Sequence, residues 1–190
     1  RTGVERARAS LAFVLRYGLL SMPEAELRFA WLQLFLGSPD DFERTLGAVA
    51  ATSPDGSSLH YDLARFHEAR GETEAAATAY EASLAVLPAA SVFDRLARLR
   101  FGKGESSEAL AVFRRALEAF PESDDLLFNQ GIVQAMTGRE QEALQSFRKV
   151  LEVDPGRIDA RENLAGILSG QGRHEEAQRH FKAALALAPG

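Results

Sequence analysis

Four histidines, His60, His67, His174 and His180, are the side chains of this 190-residue chain best suited to hold a metal or move a proton near neutral pH. His60 and His67 stand seven residues apart, so on a helix they share a face and as a pair suit a metal ion; as two packing residues they need none. His174 and His180 are six apart and diverge by more than a right angle. Neither pair has the H-E-x-x-H spacing of a zinc hydrolase. Gly102-Lys103-Gly104 is glycine-rich but lacks the preceding strand and flanking spacing of a phosphate loop, and no G-x-S-x-G elbow occurs. Cysteine is absent, which removes disulfides, thiolate zinc sites and cysteine nucleophiles. Carboxylates are plentiful, but on helix surfaces they serve solvation and capping. The reading is a chain with no catalytic, cofactor or metal site.

A formal net charge of −5 argues against nucleic acid as a partner. With 46% apolar and 26% charged residues the chain is one that folds. The most apolar stretch, Phe29 to Leu36, is far too short to span a bilayer and contains Gln33, so no direct membrane insertion is expected. The chain starts at Arg1 with no signal sequence after it, and is read as a piece of something longer; cytoplasm and periplasm are both compatible. Arginine outnumbers lysine nineteen to three, a usage associated with GC-rich, bacterial coding sequences.

What must position any functional side chain is a repeat. Gly37, Gly71, Gly104, Gly138 and Gly172 are separated by 34, 33, 34 and 34 residues, and Pro54, Pro88, Pro121, Pro155 and Pro189 by the same intervals. A fixed period near 34 marks a helical array. Glycine suits the left-handed residue that ends a helix, and proline stops the next one. First helices are expected at 58–70, 91–101, 124–137 and 158–171, and second helices at 73–87, 106–120, 140–153 and 174–188. Before them come a segment at 4–19 and a helix at 23–36 opened by a Ser21/Glu24 capping box and apolar on nearly every side.

Aligned on the prolines, the eighth position is always small: Ala30, Ala64, Ala97, Gly131 and Ala165. The twentieth holds Ala76, Ala109, Ala143 and Ala177, with Phe42 the exception. The twenty-fourth holds Tyr80, Phe113, Phe147 and Phe181, with Leu46 the exception. This pattern resembles the tetratricopeptide repeat, and the resemblance covers residues 23 to 190. It implies an all-α fold, a right-handed α-α superhelical solenoid of tandem antiparallel helix pairs. The expected units are 1–22 (an N-terminal helix, or the second helix of a truncated repeat), a degenerate repeat at 23–56, then repeats at 57–89, 90–123, 124–157 and 158–190. The small residues let two helices cross closely, and the ring fills the gap toward the neighbouring unit. The family's tryptophan and tyrosine at the fourth and eleventh positions are replaced throughout, by His60 and His67 in one unit.

The resemblance implies that first helices line a concave surface where a partner lies as an extended peptide or helix. Carried over by position, the partner-groove residues are Arg28, Trp31, Tyr61, Arg65, Arg95, Arg98, Phe128, Asn129, Ile132 and Asn163. Asn129 and Asn163 occupy one position in adjacent units, so their amides suit a short ladder along a peptide backbone. Arg65, Arg95 and Arg98 suit an acidic segment or a terminal carboxylate. Asp62 and Asp94 stand where they could instead pair with Arg65 and Arg98 within the helix. Phe128, Ile132 and Met136 form an apolar stripe, fitting either a groove pocket or packing against the next unit. The lysine and asparagine of the chaperone-tail carboxylate clamp have no match here.

The function expected is a non-enzymatic scaffold that binds a protein or peptide, the acidic segment being one candidate. The alternative is an accessory or oligomerisation module of a larger multidomain protein or a bacterial envelope assembly machine. Phe181, Leu185 and Leu187 leave the last helix apolar, which favours a further repeat unit, a homo-oligomer partner or another domain covering the terminal repeat.

Overall fold

The computed structural model describes residues 56–187 together with Asp40, Asp41, Arg44 and Thr45. The expected helices at 4–19 and 23–36, the capping box, Arg28 and Trp31 lie outside the described residues. Eight helices follow in order: α1 Gly56–Ala69, α2 Thr73–Val86, α3 Ala90–Gly102, α4 Ser106–Ala119, α5 Asp124–Met136, α6 Glu140–Val153, α7 Ile158–Gly170 and α8 His174–Leu187. These bounds differ from the expected ones by at most two residues, and the described residues contain no strand.

The turn between paired helices has one repeated cause. Gly71, Gly104, Gly138 and Gly172 take φ of 74°, 87°, 75° and 75°, a region that side chains with a Cβ avoid. The residue after each glycine donates its amide to a carbonyl five residues back: Glu72 to His67, Glu105 to Arg100, Arg139 to Gln134 and Arg173 to Leu168. These bonds satisfy the orphan carbonyls at the end of each first helix and reverse the chain the same way each time. Pro88, Pro121 and Pro155 lie just beyond α2, α4 and α6, where the ladder cannot continue.

The chain divides into two compact units, 1–88 and 89–190. In the first, α1 packs on α2. Ala64, Ala76 and Tyr80 are all 0% exposed, and the buried Tyr80 hydroxyl donates to Glu68 Oε2 at 2.6 Å. Ser83 Oγ donates to the Ser57 carbonyl, tying the two ends of the pair.

In the second unit α3–α4, α5–α6 and α7–α8 are antiparallel pairs, and α4 packs on α5 as α6 packs on α7. The small residues Ala97, Ala109, Ala143 and Ala165 are fully buried, as are the rings of Phe113 and Phe147. Each buried ring stabilises the array by about 1.5–3 kcal/mol relative to exposure. Phe147 has two roles. Its ring packs with Leu164 and Leu168 of the next unit, but its edge also presses on its own hairpin partner. A Cβ added to Gly131 would lie 2.8 Å from Phe147 Cε1. The glycine is there to admit that ring. In the same helix pair, Ser146 Oγ of α6 donates to the buried Gln134 Oε1 of α5 at 2.7 Å.

Candidate functional site

Two first helices of the second unit, α3 and α5, touch directly and share a face. A hydrogen bond fixes that contact: Asn129 Nδ2 donates to Asp94 Oδ1 at 2.7 Å, across 35 residues. Burial raises the Asp94 carboxyl above the ordinary carboxylate range, against the lowering effects of Asn129 and Arg98. Asn163 instead donates to the Asp159 carbonyl of its own helix. The two asparagine amides therefore turn to different protein partners. Arg98 lies 3.8 Å from Asp94 and stays 71% exposed, so the intrahelical pair exists but leaves the guanidinium mostly in water. Arg95 is half-buried one turn earlier.

The apolar stripe divides. Phe128 and Ile132 are half-buried against the core cluster that includes Leu164 and Leu168, whereas Met136 is 68% exposed. Packing against the next unit accounts for the first two. The Phe128 ring meets Phe147 at 5.7 Å between centroids, and the Arg157 guanidinium lies 4.7 Å above it. Across α3, α5 and α7 the ninth-position row thus runs from exposed Arg98 through half-buried Ile132 to Gly166, around whose missing Cβ no atom lies within 4 Å.

In the first unit Arg65 is exposed and Tyr61 half-buried, its ring 5.9 Å from Tyr80. Burial raises Asp62 above the ordinary carboxylate range, and the nearby charge of Arg65 lowers it in part. His67 is 5% exposed and its Nδ1 sits 2.7 Å from Glu72 Oε2, a bond that holds the Glu72 carboxyl below its usual range. His67 is thus a turn clamp, matched in the next repeat by Arg100 on Glu105 at 2.8 Å. Among the described residues no group of three His, Cys, Asp or Glu is placed to hold a metal, and no helix is long and apolar enough to cross a membrane.

One residue was not legible as functional. Arg157 bonds Asp125 at 2.7 Å and Asp159 at 3.0 Å, and also reaches Asp124, so it joins the start of one repeat to the start of the next. Its partial burial alone would lower the guanidinium pKa; the three carboxylates more than offset that and raise it. The signal was present as the Asp124-Asp125 pair, 33 and 32 residues before Arg157.

Tetratricopeptide repeat family models match residues 27–91, 95–158 and 135–190. No curated protein sequence matches the chain. Among solved structures it is similar to MamA residues 41 to the end from Desulfovibrio magneticus RS-1, at TM-score 0.66 and 18% identity over 87% of this chain and 94% of that one. It is similar to YrrB, a tetratricopeptide repeat protein described as having an unusual peptide-binding site, at TM-score 0.64 and 20% identity over 87% and 86%. A tetratricopeptide repeat protein from Parabacteroides merdae gives TM-score 0.70 and 22% identity over 86% and 66%. At these identities the likeness is one of fold. With family models matching most of its length and turns, wedges and small-residue crossings in register, the chain belongs to the tetratricopeptide repeat family.

Proposed function

We propose that the chain is a non-enzymatic scaffold that receives a partner polypeptide on the face made by its first helices. The observation that carries this reading is the row across α3, α5 and α7, where an exposed guanidinium at Arg98 and the open space at Gly166 flank the half-buried Ile132. Such a surface offers a carboxylate contact at one end and room for a partner side chain at the other. Asn129 is held by Asp94, so the helices that carry the face are pinned before a partner arrives, which lowers the ordering cost of binding. The likeness to YrrB supports a peptide as the kind of partner, since that protein's fold carries a peptide-binding site. Within the second unit, the exposed Arg98 favours an acidic one. The test is recovery of a partner from a native extract by the intact chain and by an Arg95→Glu/Arg98→Glu variant. Loss of the partner from the variant supports the acidic groove; equal recovery overturns it.

A second reading rests on α8. Phe113 and Phe147 are 0% exposed, whereas Phe181, at the same repeat position, is 46% exposed and Leu185 is 77% exposed. Together with Ile158 and Ala177 they border a depression of about 510 Å³. Self-association through this face would make the chain an oligomerisation module. A mass by light scattering that rises with concentration, and falls to a monomer in Phe181→Glu, supports it; a monomer at all concentrations removes it.

A further inference from the structure

Two sets of cations in the second unit contrast with each other. Those in the turns are held by carboxylates: Arg100 and Lys103 by Glu105, Arg139 by Glu142, Arg157 by its three aspartates and Arg173 by Glu176. On the second helices Arg114 of α4, Arg148 and Lys149 of α6, and Lys182 of α8 are exposed and form no ion pair among the described residues. Arg114, Arg148 and Lys182 stand 34 residues apart, so each occupies the same place in its repeat. They form a row running across the helices, in a chain whose net charge is −5.

Two acidic sets border this row. Glu118 and Glu152 lie four residues further along α4 and α6, on the same faces as Arg114 and Arg148. Glu108, Glu142 and Glu176 stand six residues before the three cations, again at intervals of 34. With a base placed before an acid, the four-residue spacing is the weaker orientation for a helical pair, consistent with Arg114 and Arg148 remaining unpaired. Neutralising their own helices is therefore not what these cations do.

We propose that this row is a second docking surface, on the second helices, for an extended Asp/Glu-rich segment of a partner polypeptide running across the repeats with a carboxylate on each cation. The width of the row selects that occupant. A bilayer or a nucleic-acid duplex would press its own negative charge onto the bordering glutamates, whereas one extended strand lies on the cations alone. Arg148 acts through its charge on Glu176 of the next repeat and Arg114 borders a depression with Glu142, but neither forms an ion pair among the described residues, so each head can still turn to meet a partner's carboxylate.

The test is anisotropy of a fluorescent poly-glutamate peptide titrated with the intact chain at low salt, with an oligothymidylate and phosphatidylserine vesicles as separate arms. Binding of the peptide should weaken roughly tenfold or more in Arg114→Glu/Arg148→Glu/Lys182→Glu. Glu118→Gln/Glu152→Gln should bind it about two- to fivefold more tightly, a gain that a misfolded protein would not give. No peptide binding by the unaltered chain, equal binding by the charge-reversed variant, or no gain from the glutamine pair would each overturn the proposal. So would tighter binding of the oligonucleotide or vesicles than of the peptide. Failure here leaves the first-helix groove untouched, because none of these residues lies on it.

Discussion

Gly131 and Gly166 both sit inside first helices, α5 and α7, and replacing either with alanine should gain about 0.8–1.0 kcal/mol from helix propensity alone. Packing separates them. A Cβ at 131 would lie 2.8, 3.0 and 3.1 Å from Cε1, Cζ and Cδ1 of Phe147, against about 3.5–4.0 Å for relaxed carbon contacts. The ring must retreat by roughly 0.7 Å, yet Phe147 and its neighbours Val150, Leu164 and Leu168 are all 0% exposed. Overpacking of this kind costs about 1–3 kcal/mol. At 166 nothing lies within 4 Å. Gly166→Ala is therefore expected to stabilise the array by about 1 kcal/mol, and Gly131→Ala to destabilise it by up to about 2 kcal/mol. Equilibrium denaturation in urea measures both. Phe147→Leu should offset part of the Gly131→Ala loss, seen as a coupling of about 0.5–3 kcal/mol in the double-mutant cycle. Equal stabilisation by the two alanines would show that the ring does not press on Gly131 and would refute this account of the crossing.

Two further outcomes follow from the same geometry. Arg157→Met should destabilise the second unit by about 1–2 kcal/mol, because it leaves Asp124, Asp125 and Asp159 without their shared cation. The loss should shrink at high salt, since Asp125 is 76% exposed. His180 is pushed below the ordinary imidazole value first by burial and then by the charges of Arg161, Arg148 and Arg179, with Glu176 acting against them. Its folded form binds fewer protons than its unfolded form across that interval, so the associated stability is complete above about pH 6.5 and is lost as pH falls below it. His180→Gln should flatten the pH dependence of unfolding there; an unchanged slope would show that another group is responsible.

The turns and stops were legible because each rests on one residue type with one physical use. Positive φ at Gly71, Gly104, Gly138 and Gly172 follows from glycine's missing Cβ, and the helix pairs follow from the turns. Contacts between repeats were less legible, because the period gives position within a unit and not which neighbour a side chain chooses. Asn129 and Asn163 share a position, yet one reaches Asp94 across the repeats and the other its own helix. Gly131 looked interchangeable with Ala97 and Ala165, and only its distance to Phe147 sets it apart. Of the groove residues, Phe128 and Ile132 turn largely into the core, while Arg98 remains on the surface.

The central claim, a partner polypeptide lying on the first helices, is tested most directly by replacing Gly166 with a photoreactive residue and irradiating the chain with its bound partner. The account predicts a covalent adduct from that position that disappears when Ile132→Arg is introduced on the neighbouring helix. A partner that stays bound to both proteins and never cross-links from position 166 would contradict it.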